Sequence, residues 1–374
     1  MKISKKVILL IIGILTILLT IPNFSKAATK VTNEDTLNSA ISSADSGATI
    51  TLANDITVTK PIVIAKELII DGNGHNIVGS TDWTSTSGNQ TMFTAQFSDA
   101  KLTLKNINLK NGPKYGVQSY DGATVILDNV SITGFKYGGV LANGGKVEVK
   151  NLHLGYNGTN SNNGIEIDKG AAATNNPSLV MNGVLTSDSN ENVVRPAENG
   201  HLTEFTVTNT PNTTNKVVIA GDKVVLTDKN DNVISETVIP ENATANTDVQ
   251  KVVISLVVNE KTNKIVVDLG KTITADLLKS HVELPENYVI DGFYEDAQYT
   301  KEFNFSNPLN TDTTIYTKIS KVENTTPETK PEEPKGEKDV TPKTGIESYI
   351  GIAILAIISS ATIIVFMKKR GIKG

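Results

Sequence analysis

The chain has 374 residues, 39% of them hydrophobic and 20% charged, with a net charge of −5 and no cysteine. Disulfides, thiol nucleophiles and cysteine metal sites are therefore excluded, while the length is ample for one or two hydrophobic cores. Without residues 1–27 and 345–374 the chain loses eight of its 35 basic residues and one of its 40 acidic ones, moving the net charge from −5 to −12. A nucleic-acid partner needs a basic face and is excluded. Between those ends Arg195 is the single arginine, so clustered arginine recognition of phosphate is excluded as well.

Residues 1–27 read as a secretory signal peptide. Lys2, Lys5 and Lys6 precede an apolar core over 7–21, and Ser25-Lys26-Ala27 supplies small residues for cleavage after Ala27. A retained membrane anchor is the alternative. Next, Thr36, Leu37, Ala40, Ile41 and Ala44 recur at helical spacing within 33–45, behind a polar cap. The pattern predicts a short helix that plugs the open end of the repeating coils beginning at residue 50.

From 50 to 209 one short pattern occurs seven times: apolar, any, apolar, any, then Asn or Gly. The fifth positions are Asn54, Gly72, Asn106, Asn129, Asn151, Gly183 and Asn209. Period-two alternation marks a strand with one buried face. Asn and Gly take a left-handed backbone most readily, so the fifth position reads as a corner. A second strand follows at Ile107/Leu109, Val130/Ile132 and Leu152/Leu154, and a third near Phe93, Val117, Val140, Ile165 and Val194. The corners are 18, 34, 23, 22, 32 and 26 residues apart, a solenoid spacing. Three short strands per turn predict an all-β parallel β-helix over 28–215. A β-sandwich would need tight hairpin turns where this chain has bends leading straight into another strand.

The capping segment, then Leu68-Ile69-Ile70-Asp71-Gly72-Asn73-Gly74, then Asn-rich coils resembles the pectate-lyase-like right-handed β-helix superfamily over 29–211. The resemblance implies the fold and leaves activity open, since many members of such families are non-catalytic.

Residues 216–249 are β-rich and either finish the solenoid or form a bridging hairpin. Over 250–320, a hairpin around Asn259-Glu260-Lys261-Thr262-Asn263 is followed by Tyr288-Val289-Ile290-Asp291-Gly292-Phe293-Tyr294, Phe303-Asn304-Phe305 and Thr313-Thr314-Ile315-Tyr316. This order resembles the internalin-type B repeat, a small β-grasp-like module, with Phe293 where that family usually carries Trp. Its aromatics are expected to pack the core of so small a unit. Residues 321–340 are rich in Pro, Glu and Lys and read as an extended wall-spanning linker.

The end of the chain is the sharpest signal. Thr341-Pro342-Lys343-Thr344-Gly345 precedes an apolar run over 349–367, and Lys368, Lys369, Arg370 and Lys373 follow. The run is long enough to cross a bilayer as a helix, and the basic cluster keeps the C-terminus cytoplasmic. The arrangement over 341–374 resembles the sorting signal of Gram-positive wall proteins, with Thr341 where the motif usually has Leu. The resemblance implies sortase cleavage between Thr344 and Gly345 and covalent attachment to peptidoglycan, so the expected location is extracellular, on the cell wall. A plain single-pass anchor is the alternative.

Catalytic spacings are incomplete. Lyases of the resembled superfamily use an Arg in an R-x-P-x-x-R setting, whereas Arg195-Pro196-Ala197-Glu198 lacks the second Arg. The paired aspartates and Gly-His-Gly step of the related hydrolases are missing too. Glu166 and Asp168 on one coil, with Arg195 on the next and Asp188 and Glu191 nearby, form either a carboxylate–arginine site or a cross-strand salt bridge. Calcium would enter only with a lyase activity; otherwise no cofactor and no metal are expected, since no histidines have metal-ligand spacing. Trp83, in an insertion over 80–91, and Tyr115, Tyr137 and Tyr156 are expected along one edge. There they could stack on sugar rings with Asn157, Asn160, Asn162 and Asn163 as hydrogen-bonders, or simply shield the corner. The sequence therefore points to a wall-anchored adhesin or glycan-binding protein for a host or environmental surface ligand. A polysaccharide lyase or hydrolase acting on acidic polysaccharide, and a structural stalk, are the alternatives.

Overall fold

The computed structural model describes residues 28–158 and 163–322. The expected signal peptide, all but the first two residues of the expected linker, and the expected sorting segment with its apolar run lie outside the described residues. Among the described residues no helix is long and apolar enough to cross a membrane.

The capping helix is Glu34–Ser43. Asn33 fastens its start: its side chain accepts from Thr36 N at 2.9 Å, while Thr36 Oγ1 accepts from Asn33 N at 3.1 Å. Leu37, Ala40 and Ile41 face inward and belong to the same core cluster as Ile50 and Leu52 of the first coil. The helix thus closes the end of the solenoid that would otherwise expose its interior.

Two parallel sheets form the solenoid. The longer runs through Thr29–Val31, Ala48–Leu52, Glu67–Asp71, Lys101–Gly112, Thr124–Phe135, Lys146–Leu154, Ser178–Ser187, Glu204–Asn209 and Thr244–Asn246. The other has six strands: Ile62–Ile64, Phe93–Gln96, Tyr115–Tyr120, Gly138–Asn143, Ile165–Asp168 and Val194–Pro196. In it Ile62, Phe93, Val117, Val140, Ile165 and Val194 stack in register, all buried. From Phe93 onward this is the expected third-strand column, to which the structure adds Ile62, and the parallel pairing of both sheets fits a β-helix.

The corners are more varied than expected. Among the seven fifth positions only Asn106 and Asn129 are left-handed, with φ of 50° and 58°. Their side chains form a ladder, Asn129 Nδ2 donating to Asn106 Oδ1 at 3.0 Å and Asn106 Nδ2 to Asp71 Oδ1 at 3.2 Å. Gly72 and Gly183 are required for closeness instead. A Cβ there would sit 2.4 Å from Asn106 O and 1.8 Å from Lys150 O respectively. Asn54 and Asn209 turn with ordinary backbone and hold the bend through side-chain amides, to Thr32 O at 2.8 Å and Val217 O at 2.8 Å. The outer coils are also offset from the motif: Ile50 pairs with Ile70, and Leu179 with Val207. A two-residue slip keeps every apolar side chain on its buried face, so alternation alone cannot detect it.

Residues 216–249 both finish the solenoid and bridge to the next module. Val217–Ala220, Lys223–Thr227 and Val233–Val238 form an antiparallel meander, and Thr244–Asn246 returns to pair with Glu204–Asn209. One face of the meander, with Val217, Ile219, Val224 and Leu226, closes the solenoid core. The other, with Val218, Ala220 and Val225, packs on Val253 and Val266. Ile219 and Ala220 then pair in parallel with Gln250 and Lys251.

Beyond it, Gln250–Val258 and Lys261–Asp268 form a hairpin. Its turn is only Asn259-Glu260, both at positive φ (45° and 66°), so Lys261, Thr262 and Asn263 belong to the strand and not to the expected loop. The helix Ala275–Lys279 follows. Thr313–Lys321 pairs in parallel with Gln250–Val258 and antiparallel with Tyr288–Tyr294. Phe293 and Phe303 are buried with Ile254, Leu256 and Ile315, and both pack edge-on to Phe305.

Asp121, at φ 42°, ties the loop before Ser178–Ser187 to an earlier coil. Its Oδ1 accepts from Thr174 N (2.8 Å), Thr174 Oγ1 (3.0 Å), Asn175 N (2.9 Å) and Asn175 Nδ2 (3.0 Å). The Asn175 bonds, then those from Thr174, lower its pKa to about 2, against about 3.9 for an unperturbed Asp. A depressed folded-state pKa contributes stability that is present above the unfolded value and lost as pH falls through the folded one. Thermal midpoints measured from pH 5 to pH 2 should fall, with the steepest loss between about pH 4 and 2, and Asp121→Asn should remove part of that slope.

Candidate functional site

The outer face of the six-stranded sheet carries both chemistry-bearing groups. Strand alternation puts Thr94, Gln118, Leu141, Glu166 and Arg195 in one outward row, each paired with the next coil. At the C-terminal end of that row Arg195 Nη2 lies 3.2 Å from Glu166 Oε1. The other carboxylate oxygen accepts from Tyr115 Oη at 2.7 Å. Tyr115 is two coils away, and it reaches across because Gly138 has no side chain: a Cβ there would be 2.9 Å from its ring.

This environment fixes protonation. Burial, then the negative charge of Glu166, pushes the Tyr115 phenol far above its usual range, so it stays a donor. Burial, then Glu166, raises Asp168, although Asn199 Nδ2 donates to its Oδ1. Glu166 itself is buried, with both oxygens engaged. The cross-strand salt bridge expected as the structural alternative is thus present, and it is largely buried rather than at the surface. It is one link in a brace spanning four coils, and Arg195 is committed to Glu166 rather than poised as a base. Asp188 is drawn elsewhere, 3.5 Å from His153 Nε2. Among the described residues no His, Asp and Glu group has metal-site geometry.

The expected line of four aromatic rings does not form. Trp83 is 8% exposed within the solenoid core, its Nε1 donating to Gln90 Oε1 at 2.7 Å; it offers no face to a ligand. Tyr115 turns toward Glu166. Tyr137 and Tyr156 remain at the surface, 45% and 66% exposed, with the Tyr137 ring 6.0 Å from that of Tyr115 and 5.8 Å from Lys114 Nζ. The reason lies in register: Tyr115 pairs with Gly138, so Tyr137 sits one residue out of line. Asn157 is buried and structural, accepting from Phe135 N and donating to Ile132 O and Gly155 O. Asn163 Nδ2 donates to Tyr137 O at 2.9 Å. Asn160 and Asn162 lie outside the described residues.

A cleft of about 370 Å³ sits on this same face. Thr94, Gln118 and Leu141 floor it, and Gln96, Tyr120 and Asn143 continue the floor one outward row along. One wall is the turn of the 80–91 insertion, held by Lys114 Nζ bonding Gly88 O at 2.7 Å; Tyr115 stands beside it. Thr91 Oγ1 donates to Gln118 Oε1 at 3.4 Å. Hydroxyls, amides and tyrosines converge here, and Lys114 is the one ionic lining residue. Sequence reasoning missed the cleft, although polar residues at the outward positions of successive third strands (Thr94, Gln118, Asn143) were a usable signal.

Residues 28–161 match the family described as a pectate lyase-like adhesive domain. A comparison with curated proteins gives no match. The adhesive-domain match takes in the capping helix and every residue lining the cleft, and it stops before Glu166, Asp168 and Arg195. The matched part of the solenoid is thus the part that carries the cleft.

Proposed function

We propose that the protein is a surface adhesin of the Gram-positive wall whose solenoid holds a glycan in the cleft between Thr94 and Asn143. The observation that carries this reading is a ligand-sized hollow lined by amides, hydroxyls and two tyrosines, lying wholly within the stretch that matches an adhesive domain. The sequence supports the rest of the picture. A signal peptide over 1–27 exports the chain, the linker over 321–340 spans the wall, and sortase joins Thr344 to peptidoglycan. The hairpin, helix and mixed pairing over 250–321 support the β-grasp-like, internalin-type B reading of that module, which serves as a spacer between solenoid and wall. No cofactor takes part in this reading.

A lyase acting on acidic polysaccharide is the second reading, favoured by the Glu166–Arg195 pair beside Asp168. It would need an arginine free to take a proton and a cationic surround for uronates. The adhesin reading predicts that an array of neutral and acidic glycans, probed with the full-length protein, gives ligands whose affinity falls about tenfold (about 1–2 kcal/mol) in Tyr120→Ala or Asn143→Ala. Ligands unaffected by either change would sink the cleft assignment. Anchoring is tested separately. With Thr344→Ala the protein should leave the muramidase-released wall fraction for membrane or medium.

A further inference from the structure

A second hollow, of about 840 Å³, lies far along the chain from the cleft, beside the hairpin Gln250–Val258/Lys261–Asp268. The partly buried Val258 and Val282 give it an aliphatic patch, backed by the fully buried Leu256, and Asn232, Asn263 and His281 face it as a linked polar group. The hydrogen bonds fix their orientation. Asn232 Nδ2 donates to Asp228 Oδ2 at 2.8 Å, so its Oδ1 is the acceptor for Asn263 Nδ2 at 3.2 Å and for His281 Nδ1 at 2.9 Å. His281 therefore donates through Nδ1, which in the neutral imidazole leaves Nε2 as the acceptor. Asp228 is itself held by Asn230 N and Asn232 N at 2.8 and 2.9 Å, which anchors the group from behind.

We propose that this hollow is a saccharide site for a neutral sugar, separate from the solenoid cleft. An aliphatic patch suits the C–H face of a pyranose. An imidazole acceptor and side-chain amides beside it suit ring hydroxyls, which both donate and accept. Competing occupants fit less well. Strand addition by a peptide is blocked because the outer edge of Lys261–Asp268 is already taken by the Asn232–Ile265 bridge and by Val266 N bonding Asp231 O at 3.0 Å. Only the first residues of the strand stay open, too few for a ladder. A strongly charged ligand meets one lysine and one glutamate on the rim, Lys261 and Glu283, with no excess of either sign.

The test titrates the full-length protein with cellotetraose, chitotetraose and mannotetraose, using trigalacturonate as the charged probe. Thr262→Trp fills the mouth of the hollow from an exposed position, and His281→Phe removes the acceptor. At least one neutral tetrasaccharide should bind and lose tenfold or more in affinity, or one of two sites, in both variants. Thr262→Trp must keep the wild-type thermal midpoint; it breaks no bond of the polar group, so a folded control survives if His281→Phe unfolds. Binding of trigalacturonate alone, no binding of any neutral tetrasaccharide, or binding unchanged by Thr262→Trp in both affinity and stoichiometry would overturn the proposal. None of these outcomes bears on Tyr120 or Asn143, so the two sites stand or fall apart.

Discussion

Trp83→Ala should lower the unfolding free energy by about 3–5 kcal/mol, the range for deleting a buried tryptophan. The ring is 8% exposed and packs in the main core with Met92 and Phe93 in the same cluster. Removing it leaves a void and strips Gln90 Oε1 of its donor. Gln90 also donates to Ser87 O at 2.9 Å, and Asn89 to Thr94 Oγ1 at 3.1 Å. The indole is thus the peg on which the turn of the 80–91 insertion is hung, and that turn is a wall of the cleft. Ligand affinity should fall as well, but through the wall rather than through lost stacking. Trp83→Phe, keeping volume and losing the N–H, should recover most of the stability. A urea melt in which Trp83→Ala matches the wild type within about 0.5 kcal/mol, the range of neutral surface changes, would mean that the ring is at the surface after all.

The same residue shows where sequence reading ends. The seven central coils, the capping helix and the third-strand column from Phe93 onward were legible because each rests on a local period, 3.6 for Leu37, Ala40 and Ile41 and two for the strands. The added strands Thr29–Val31, Ile62–Ile64 and Thr244–Asn246 were not. The Glu166–Arg195 adjacency followed from stacking Ile165 on Val194, and the structure pairs those residues. Three things were not legible. Period two cannot tell a register from one shifted by two, which misplaced Ile50 and Leu179. A left-handed corner and a corner pressed against a neighbouring carbonyl both select Gly or Asn, so Gly183 looked like Asn129 although its constraint is the Lys150 carbonyl. Burial of a loop residue depends on where the loop folds back, which no spacing reports; Trp83 therefore read as a binding residue. The cleft was missed for a related reason. Its floor is built by residues more than twenty positions apart, Thr94, Gln118 and Leu141, which become neighbours only when coils stack.

Arg195→Ala should cost about 2–4 kcal/mol of stability, a little below the figure for breaking a fully buried ion pair because the arginine side chain is 28% exposed and the Glu166 side chain 10%. The loss arises from what remains. Glu166 would keep its bond from Tyr115 Oη and lose its only cation, inside a sheet face where burial already raises Asp168 two residues on. Neutralising both partners should relieve most of it, so Arg195→Met with Glu166→Gln should be closer to the wild type than Arg195→Ala alone, a double-mutant signature of a structural pair. Tyr115→Phe should cost about 1.5–3 kcal/mol by taking a donor from the same carboxylate. A catalytic arginine would behave differently. Its loss would abolish release of unsaturated product from polygalacturonate, while the melting temperature need not move and the Glu166→Gln background would rescue nothing. The decisive measurement is therefore paired: melting and turnover on the same three variants. Destabilisation relieved by the second substitution, with no turnover in the wild type, leaves the Tyr115–Glu166–Arg195 chain as the brace that spans four coils. Wild-type turnover that vanishes in Arg195→Ala would make the same chain an active site, and the cleft its substrate channel.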